Sequence, residues 1–207
     1  MRTLCADDEG ALGAAATALR SGEVVVVPTD TVYGLAAMPD RPEAVQRIYL
    51  AKDRPLRLPL PVLAASLDHV RQLGVAISDA AAILSARWWP GPLTLAFGFS
   101  TTGTRPPWLA GREEVAVRIP ANEFLLALMR TTGVLVVTSA NRHGEATSPS
   151  AAEAGSHLAP HVDLVIDAGT LDSVPSTLVN VRGPGAVVER EGSISSEAVA
   201  AALAHGV

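Results

Sequence analysis

The sequence is almost without lysine. Lys52 is the only one, and the other 15 of the 16 basic residues are arginines. An arginine guanidinium is a planar set of donors, whereas a lysine ammonium is a compact point charge, and the two act differently at phosphates. Since the chain keeps one lysine only two residues before Arg54, the position indicates a need for a compact ammonium. The alternative is an ordinary solvated pair of cations at a helix end.

Other absences restrict the class of protein. Cys5 is the single cysteine, so no internal disulfide can form, and we interpret it as a small buried apolar residue. No apolar run reaches the roughly 20 residues of a membrane-spanning helix, and the acidic N-terminal segment lacks a secretory apolar core. We therefore expect a cytoplasmic protein with no membrane partner. The net charge of −5 argues against a domain that coats nucleic acid without specificity.

The common signatures of nucleotide and metal sites are missing as well. Neither Gly-x-Gly-x-x-Gly nor Gly-x-x-x-x-Gly-Lys-Ser/Thr occurs in the chain. Of the five histidines, only His157 and His161 have helical i,i+4 spacing, and Pro160 between them disfavours a regular helical face. We therefore predict no metal site made by protein ligands.

The chain alternates predicted helices and strands. With 207 residues, of which 48% are hydrophobic, it fits one domain over residues 1–207. Apolar periodicity predicts helices at residues 11–19, 42–51, 79–88, 123–130 and 195–204. Strands are predicted at residues 23–27, 60–64, 93–99, 114–119, 134–138, 163–167, 177–181 and 186–190. Because the late strands follow one another closely, we expect an α/β domain of the α+β type with a mixed parallel and antiparallel sheet.

Polar side chains follow the first predicted strand. Thr29, Asp30 and Thr31 come directly after the apolar run at residues 23–27 and a proline. Open α/β sheets tend to bind ligands at the ends of their internal strands, so these hydroxyls are candidates for holding a small polar substrate. The alternative is a plain turn in which Asp30 and Thr31 satisfy local backbone groups.

A helix end offers two cations. Pro55 prevents the helix at residues 42–51 from continuing and biases Arg54 toward an extended conformation. Lys52 and Arg54 are therefore expected to leave the helix together, and in an extended segment side chains two residues apart point the same way. Such a pair would clamp a polyphosphate.

Another strand end offers hydroxyl and amide groups. Ser139 and Asn141 follow the apolar strand at residues 134–138 and share a face if the chain stays extended. Their side chains, with the backbone N–H groups freed there, suit phosphate oxygens. An Asx turn at Asn141 is the alternative.

Three further strand ends add hydroxyls and arginines. Arg118 ends an apolar strand, where burial requires a carboxylate partner from the substrate or from the protein. Ser176 precedes the strand at residues 177–181, and Arg190 ends the last predicted strand. No catalytic histidine, cysteine or carboxylate pair accompanies these groups. The inventory suits the binding of anionic substrates, and adenylyl transfer matches it because positioning and charge stabilisation dominate that reaction.

In chain order, these segments resemble the YrdC/Sua5 family of threonylcarbamoyl-AMP synthases. Several motifs in the right order are far more specific than any one of them. The resemblance covers roughly residues 10–192. Its matching segments are residues 28–35, 52–55, 89–94, 117–120, 139–141, 175–177 and 190–192.

The resemblance implies a fold and a reaction. The fold is a strongly twisted mixed sheet with helices around a deep, positively charged cavity, in the short form with a single domain whose core spans about residues 10–192. The reaction converts L-threonine, bicarbonate and ATP into threonylcarbamoyl-adenylate and pyrophosphate. The product serves the t6A modification of tRNAs that read codons beginning with A. Trp88 and Trp89 are expected to form a structural corner rather than to stack on adenine.

The resemblance also implies roles for individual residues. Thr31, Arg118 and Ser176 would hold threonine, with Arg118 on its carboxylate, and Lys52 and Arg54 would be catalytic. Mg²⁺ would accompany the triphosphate, bound mainly through phosphates and water. The implied partners are ATP, L-threonine, bicarbonate and the proteins that transfer the product to tRNA. The implied ATP-binding residues are Lys52, Arg54, Ser139, Asn141, Thr147 and Arg190.

Two other functions stay open. Leu63 stands where some members of the family have a histidine. Arg57 and Leu58 stand where many members have a second lysine or a polar residue. Arg57 is a candidate substitute for that lysine, but its position differs by one residue. These departures favour a paralogue that makes another carbamoyl-adenylate, for example from carbamoyl phosphate. A module that binds double-stranded RNA or tRNA without this activity is the other alternative, although the net charge of −5 weighs against it.

Overall fold

The computed structural model describes residues 1–171, 174–183 and 185–205. Over these residues, ten strands form one sheet with seven α-helices and a short 3-10 helix at Pro107–Leu109. The predicted domain extends to residue 207, and its last two residues lie outside the described part. The strands are β1 (Arg2–Cys5), β2 (Val25–Val27), β3 (Gly34–Ala37), β4 (Val62–Leu63), β5 (Leu93–Gly98), β6 (Glu114–Arg118), β7 (Leu135–Ser139), β8 (Leu164–Asp167), β9 (Thr177–Asn180) and β10 (Val187–Arg190). The helices are α1 (Ala11–Arg20), α2 (Pro42–Lys52), α3 (Leu67–Gln72), α4 (Asp79–Trp88), α5 (Glu123–Thr132), α6 (Ala151–His157) and α7 (Ser196–His205).

The sheet mixes parallel and antiparallel pairs, as the sequence predicts. Its strand order is β1-β8-β2-β3-β7-β4-β6-β5-β9-β10. The pairs β1–β8, β2–β8, β4–β6 and β5–β9 are parallel, whereas β2–β3, β3–β7, β4–β7, β5–β6 and β9–β10 are antiparallel. The fold class is therefore confirmed, and the strong twist of the sheet stays a prediction.

The core lies on both faces of the sheet. Val25 and Val27 of β2 belong to one apolar cluster, while Val24 and Val26 belong to a second cluster on the opposite face. Alternate residues of a strand point to opposite faces, so a strand covered on both sides is apolar at every position. This explains why the valine run at residues 24–27 was recognisable as a buried strand.

The predicted elements are present with ends shifted by at most two residues, but two strands and two α-helices of the described chain were missed. Strands β1 and β3 and helices α3 and α6 had no prediction. The prediction that Cys5 is buried is wrong, because it is exposed on β1. This strand is at the edge of the sheet and pairs on one side with β8. In the described ranges, no helix is both long and apolar enough to cross a membrane.

Candidate functional site

A cavity of about 580 Å³ opens where strand ends from distant parts of the chain meet. Its volume is in the range typical of small-molecule sites. The structure brings every residue predicted for the site to its wall. These residues are Thr31, Lys52, Arg54, Arg118, Ser139, Asn141, Thr147, Ser176 and Arg190.

The Lys52 ammonium is buried and is hydrogen-bonded to residues at the end of β7. It donates hydrogen bonds to the backbone carbonyl of Ser139 and to both the backbone and the side-chain carbonyl of Asn141. Burial, with a smaller contribution from the Arg54 guanidinium, lowers the pKa of Lys52 to about 8. The single lysine is therefore a compact donor that joins the end of α2 to the segment after β7.

The backbone between the two predicted cations differs from the expectation. Helix α2 continues to Lys52 and ends at Asp53, which adopts a left-handed conformation with φ 48° and ψ 43°. The extended segment predicted for Lys52 and Arg54 is therefore wrong, since a proline two residues ahead did not prevent a left-handed helix end. The turn still directs both cations to the cavity, where Arg54 donates to the carbonyls of Leu58 and Pro59 at 3.1 Å each.

The segment after β7 is a turn that is stabilised by hydrogen bonds from the Asn141 side chain. The Asn141 amide donates to the carbonyls of Arg142 (3.0 Å) and Glu145 (2.6 Å). The backbone N–H of His143 donates to the carbonyl of Lys52 at 2.8 Å. In an Asx turn the side-chain oxygen accepts from a backbone N–H, whereas the Asn141 oxygen accepts from Lys52 and its amide nitrogen donates, so these bonds make a turn of another kind. The same segment lines the cavity as far as Thr147.

Arg118 lies at the end of β6 with most of its guanidinium buried. It donates to the Gly91 carbonyl at 2.9 Å, to the Thr31 hydroxyl at 2.8 Å and to the Asp30 carboxylate at 2.5 Å. Burial lowers the pKa of Arg118, and the Asp30 carboxylate opposes this shift. Three of the five N–H donors of the guanidinium are used in this way, which leaves two for a ligand.

Two neighbouring threonines after β2 have different functions. The Thr29 hydroxyl accepts hydrogen bonds from the backbone N–H groups of Thr31 (3.0 Å) and Val32 (3.1 Å) and donates to the Val32 carbonyl at 2.7 Å. Thr29 therefore forms the turn, while Thr31 reaches Arg118. The sequence alone did not assign these different functions.

The Ser176 hydroxyl connects β5 with Arg190. It lies 2.8 Å from the Thr94 hydroxyl and 3.3 Å from the Arg190 guanidinium. Arg190 also donates to the Ser176 carbonyl at 2.9 Å. Sequence reasoning gave no role to Thr94 or to the Asp30–Arg118 pair. A polar residue at Thr94 inside an otherwise apolar strand was the available signal.

The cavity wall carries more cations than carboxylates. Lys52, Arg54, Arg118 and Arg190 line it, and Glu145 is the one carboxylate among the described lining residues. Burial, followed by repulsion from Arg54, lowers the pKa of Arg190. Cations that repel one another in a partly buried space favour an anionic ligand between them.

Two other predictions concern residues near the site. Trp89 donates its indole N–H to the Leu93 carbonyl at 2.7 Å and packs against Phe97 at a ring-centroid distance of 6.2 Å, and Trp88 also packs on the core. The expected structural corner is therefore present. Arg57 lines a separate pocket, so it does not replace a second lysine in the main cavity.

Comparison with known proteins identifies relatives of this chain. A model of the family Sua5/YciO/YrdC, described as "Telomere recombination", matches residues 17–192. A threonylcarbamoyl-AMP synthase of Bacillus subtilis is 38% identical over 192 residues, which are 91% of this chain and 55% of that protein. A putative threonylcarbamoyl-AMP synthase of Mycobacterium tuberculosis is 33% identical over 205 residues, which cover 96% of this chain and 93% of that protein.

A solved structure shows the same fold. The crystal structure of Pyrococcus abyssi Sua5 complexed with L-threonine superposes with a TM-score of 0.86 at 32% identity, over 98% of this chain and 60% of that chain. The chain thus spans little more than half the length of the Bacillus and Pyrococcus relatives. The family match covers most of the sequence, and the protein belongs to the Sua5/YciO/YrdC family.

Proposed function

We propose that the protein is a threonylcarbamoyl-AMP synthase, which converts L-threonine, bicarbonate and ATP into threonylcarbamoyl-adenylate and pyrophosphate. The observation that carries this proposal is the cavity in which four cations meet a group of hydroxyls. The names of the Bacillus and Mycobacterium relatives and the L-threonine complex of the Pyrococcus protein support it.

The proposed threonine subsite is formed by Thr31, Arg118 and Ser176. Arg118 has donors left for a carboxylate, and its contact with Thr31 brings a hydroxyl to the same point. Ser176 adds a second hydroxyl from the position just before β9. One cationic and two neutral polar groups match an amino acid with a carboxylate and a side-chain hydroxyl.

The proposed ATP subsite is formed by the remaining cations and the β7 turn. Lys52, Arg54 and Arg190 would neutralise the triphosphate, and Ser139, Asn141 and Thr147 would supply polar contacts. The protein would act as a nucleotidyltransferase that positions its substrates and stabilises developing charge, with Lys52 and Arg54 nearest the reacting phosphate.

The proposed chemistry needs little from protein acids and bases. Bicarbonate takes up the proton that the threonine ammonium gives up and loses water to form CO₂. The neutral amine then attacks CO₂, which forms the N–C bond, and its nitrogen releases one proton to solvent to leave a carbamate. A carbamate oxygen then attacks the α-phosphorus of ATP. The bond from that phosphorus to the bridging oxygen breaks, and pyrophosphate leaves with the bond's electrons. Cations around the triphosphate stabilise the charge that accumulates on pyrophosphate.

Mg²⁺ is proposed as the metal that arrives with ATP. Among the described residues, no cluster of three or more His, Cys, Asp or Glu side chains could hold a metal ion. Glu145 lines the cavity, and Asp30 is already paired with Arg118. This donor set fits an ion bound through phosphate oxygens and water, which is how Mg²⁺ commonly binds nucleotides.

The product defines the proposed partners. Threonylcarbamoyl-adenylate is a mixed anhydride that transfers its acyl group, so proteins that modify tRNA to t6A would consume it. We propose a cytoplasmic location, where ATP and tRNA are available, and one catalytic domain over residues 1–207.

Pyrophosphate release tests the proposal. Purified protein with ATP, Mg²⁺, bicarbonate and threonine should release pyrophosphate in a threonine-dependent way, and mass spectrometry should detect the adenylate. Release no greater than in a blank without threonine would contradict the proposal.

One observation favours a second candidate. Leu63 lines the cavity and is the register neighbour of Arg118 on the adjacent strand, so an apolar side chain borders the proposed amino-acid subsite. A paralogue that uses carbamoyl phosphate or another amine would fit such a change. Replacing threonine and bicarbonate in the same assay by carbamoyl phosphate, or replacing threonine alone by serine or valine, separates the two candidates through the co-substrate that raises pyrophosphate release most.

A further inference from the structure

A second pocket, of about 460 Å³, lies beside the main cavity. The turn at residues 55–59 forms one wall, and the segment at residues 112–114 with Arg182 forms the other. Pro59 lines both cavities, so they share this turn. No residue predicted for the main site lines the second pocket. The charged side chains that line this pocket therefore need a separate explanation.

The pocket has more guanidinium groups than carboxylates to pair with them. Arg182 is bound to Glu114 at 2.7 Å and also donates to Asn180. Arg57 and Arg112 remain, and neither guanidinium makes a hydrogen bond or ion pair with another described residue. Glu113 is exposed and forms no ion pair within the described chain. Two unpaired cations therefore face one unpaired carboxylate.

Arg112 has a nitrogen that solvent cannot satisfy. Its Nη1 atom is buried without a hydrogen-bond partner among the described residues. A buried donor without an acceptor is unfavourable, and one on a charged group is more so. Arg112 belongs to a segment fixed in place by the Arg105 side chain, which donates to the Arg112 carbonyl at 3.0 Å. Because this atom is closed to solvent, a ligand in the pocket would reach it after a rotation of the Arg112 side chain, and the gain of an acceptor favours that rotation.

The shared turn connects the two cavities mechanically. The Leu58 N–H donates to the Pro55 carbonyl at 3.0 Å, which closes the turn with Arg57 near its tip. The Leu58 carbonyl in turn accepts from Arg54, which lines the main cavity, and from the Tyr49 hydroxyl at 3.2 Å. Arg54 and Arg57 thus lie on opposite sides of one turn. A ligand that draws Arg57 toward Arg112 would act on the same turn that Arg54 contacts.

We propose that this second pocket is an anion site that binds a phosphate-bearing product, inorganic pyrophosphate, between Arg57 and Arg112. Its place beside the proposed triphosphate site makes it an exit position for pyrophosphate. The identity of the anion rests on the proposed function, whereas the presence of an anion site does not. Pairs of arginines bind phosphate groups through charge-assisted hydrogen bonds.

Calorimetric titration of the full chain with pyrophosphate, without ATP or threonine, tests the site. Wild-type protein should bind two pyrophosphates, one in each cavity. Arg190→Gln should weaken the main-cavity event and keep the other. Arg57→Gln and Arg112→Gln should each weaken the second event about tenfold or more, while Glu113→Gln should strengthen it.

Arg71→Gln is the matched control, because it removes an exposed arginine charge that lines neither cavity and should leave both events unchanged. Arg57 is exposed, so its variant keeps the fold even if Arg112→Gln does not. Loss of all pyrophosphate binding in Arg190→Gln, or a remaining event that Arg57→Gln shifts by less than about threefold, would overturn the proposal. Since no catalytic turnover is involved, this outcome is independent of the threonine-dependent assay.

Discussion

Lys52 and Asn141 are joined twice, since the lysine ammonium donates to both the backbone carbonyl and the side-chain carbonyl of the asparagine. Its third hydrogen bond goes to the Ser139 carbonyl. An ammonium has three N–H donors, so this conformation uses all of them on protein oxygens. Triphosphate binding at Lys52 must therefore share or exchange these contacts, which links nucleotide binding to the turn after β7.

Nucleotide affinity should fall as the pH rises through about 8. The pKa of Lys52 is lowered from 10.5 to about 8 by burial and by Arg54. The lowered value means that the folded protein loses this proton before the unfolded chain does, so the unfavourable burial of the charge is present below pH 8 and is relieved as pH rises toward 10.5. Above pH 8 the neutral amine no longer attracts phosphate. Titration with a non-hydrolysable ATP analogue from pH 7 to 10 measures this step.

Lys52→Met is the control for that pH dependence. It keeps an unbranched side chain that is one atom shorter and removes the charge, and should reduce the rate of pyrophosphate release by an amount corresponding to about 2–4 kcal/mol. Its nucleotide affinity should be low and should show no step near pH 8. A step of the same size in Lys52→Met would show that another group titrates there.

Replacing Arg118 should affect threonine more than ATP. Arg118→Ala removes the proposed carboxylate partner and leaves the partly buried Asp30 carboxylate without its ion pair. Loss of one member of a buried pair typically costs about 3–5 kcal/mol of folding stability. We expect a KM for threonine raised at least a hundredfold, a smaller change in the KM for ATP, and a lower Tm.

A double variant separates binding from stability at Arg118. Arg118→Gln with Asp30→Asn removes both charges, so the Tm should recover toward the wild-type value while threonine binding stays weak. Recovery of threonine binding together with the Tm would mean that Arg118 acts only on folding. Selective loss of ATP binding would instead contradict the role assigned to it.

The accuracy of the sequence predictions follows from the kind of signal each feature has. The valine runs that end at Val27 and Val137 are each followed closely by threonine, and this pattern marks a buried strand and its end. The two strand ends do meet at one cavity. Strand β3 was missed because Gly-Leu-Ala-Ala lacks β-branched residues, and it is a strand because β2 and β7 pair with both its edges. The Asp30–Arg118 and Thr94–Ser176 contacts join residues 88 and 82 positions apart, so spacing could not reveal them.

Thr94 should contribute to the threonine subsite through Ser176. Thr94→Val keeps the shape of the side chain but removes the hydroxyl that lies 2.8 Å from the Ser176 hydroxyl. Among the described residues, the Ser176 hydroxyl then keeps its contact with Arg190, and its orientation is less fixed. One neutral hydrogen bond is worth about 0.5–1.5 kcal/mol, so kcat/KM for threonine should fall about three- to tenfold. Thr102→Val changes an exposed threonine outside the cavity and should leave kcat/KM as in the wild type. If Thr102→Val lowered kcat/KM as much as Thr94→Val does, the contact between Thr94 and Ser176 would not explain the loss.

The close approach at Gly192 should be essential for the position of Ser176. A Cβ atom at Gly192 would lie 2.2 Å from the Pro175 carbonyl oxygen and 2.6 Å from the Ser176 carbonyl carbon. Both contacts are with backbone, which cannot move aside as a flexible side chain can. Gly192→Ala should therefore displace the segment at residues 175–176, lower the Tm and reduce threonine-dependent pyrophosphate release more than Ser176→Ala does.

Gly13→Ala provides the matched glycine control. Gly13 lies on the exposed side of α1, and a Cβ atom there meets nothing within 4 Å. Because alanine favours a helix interior over glycine by about 1 kcal/mol, this change should raise the Tm and leave activity intact. Thermal unfolding of both variants, compared with their rates of pyrophosphate release, checks the pair. If Gly192→Ala kept the wild-type Tm and rate, the contact between Gly192 and the 175–176 segment would not position Ser176.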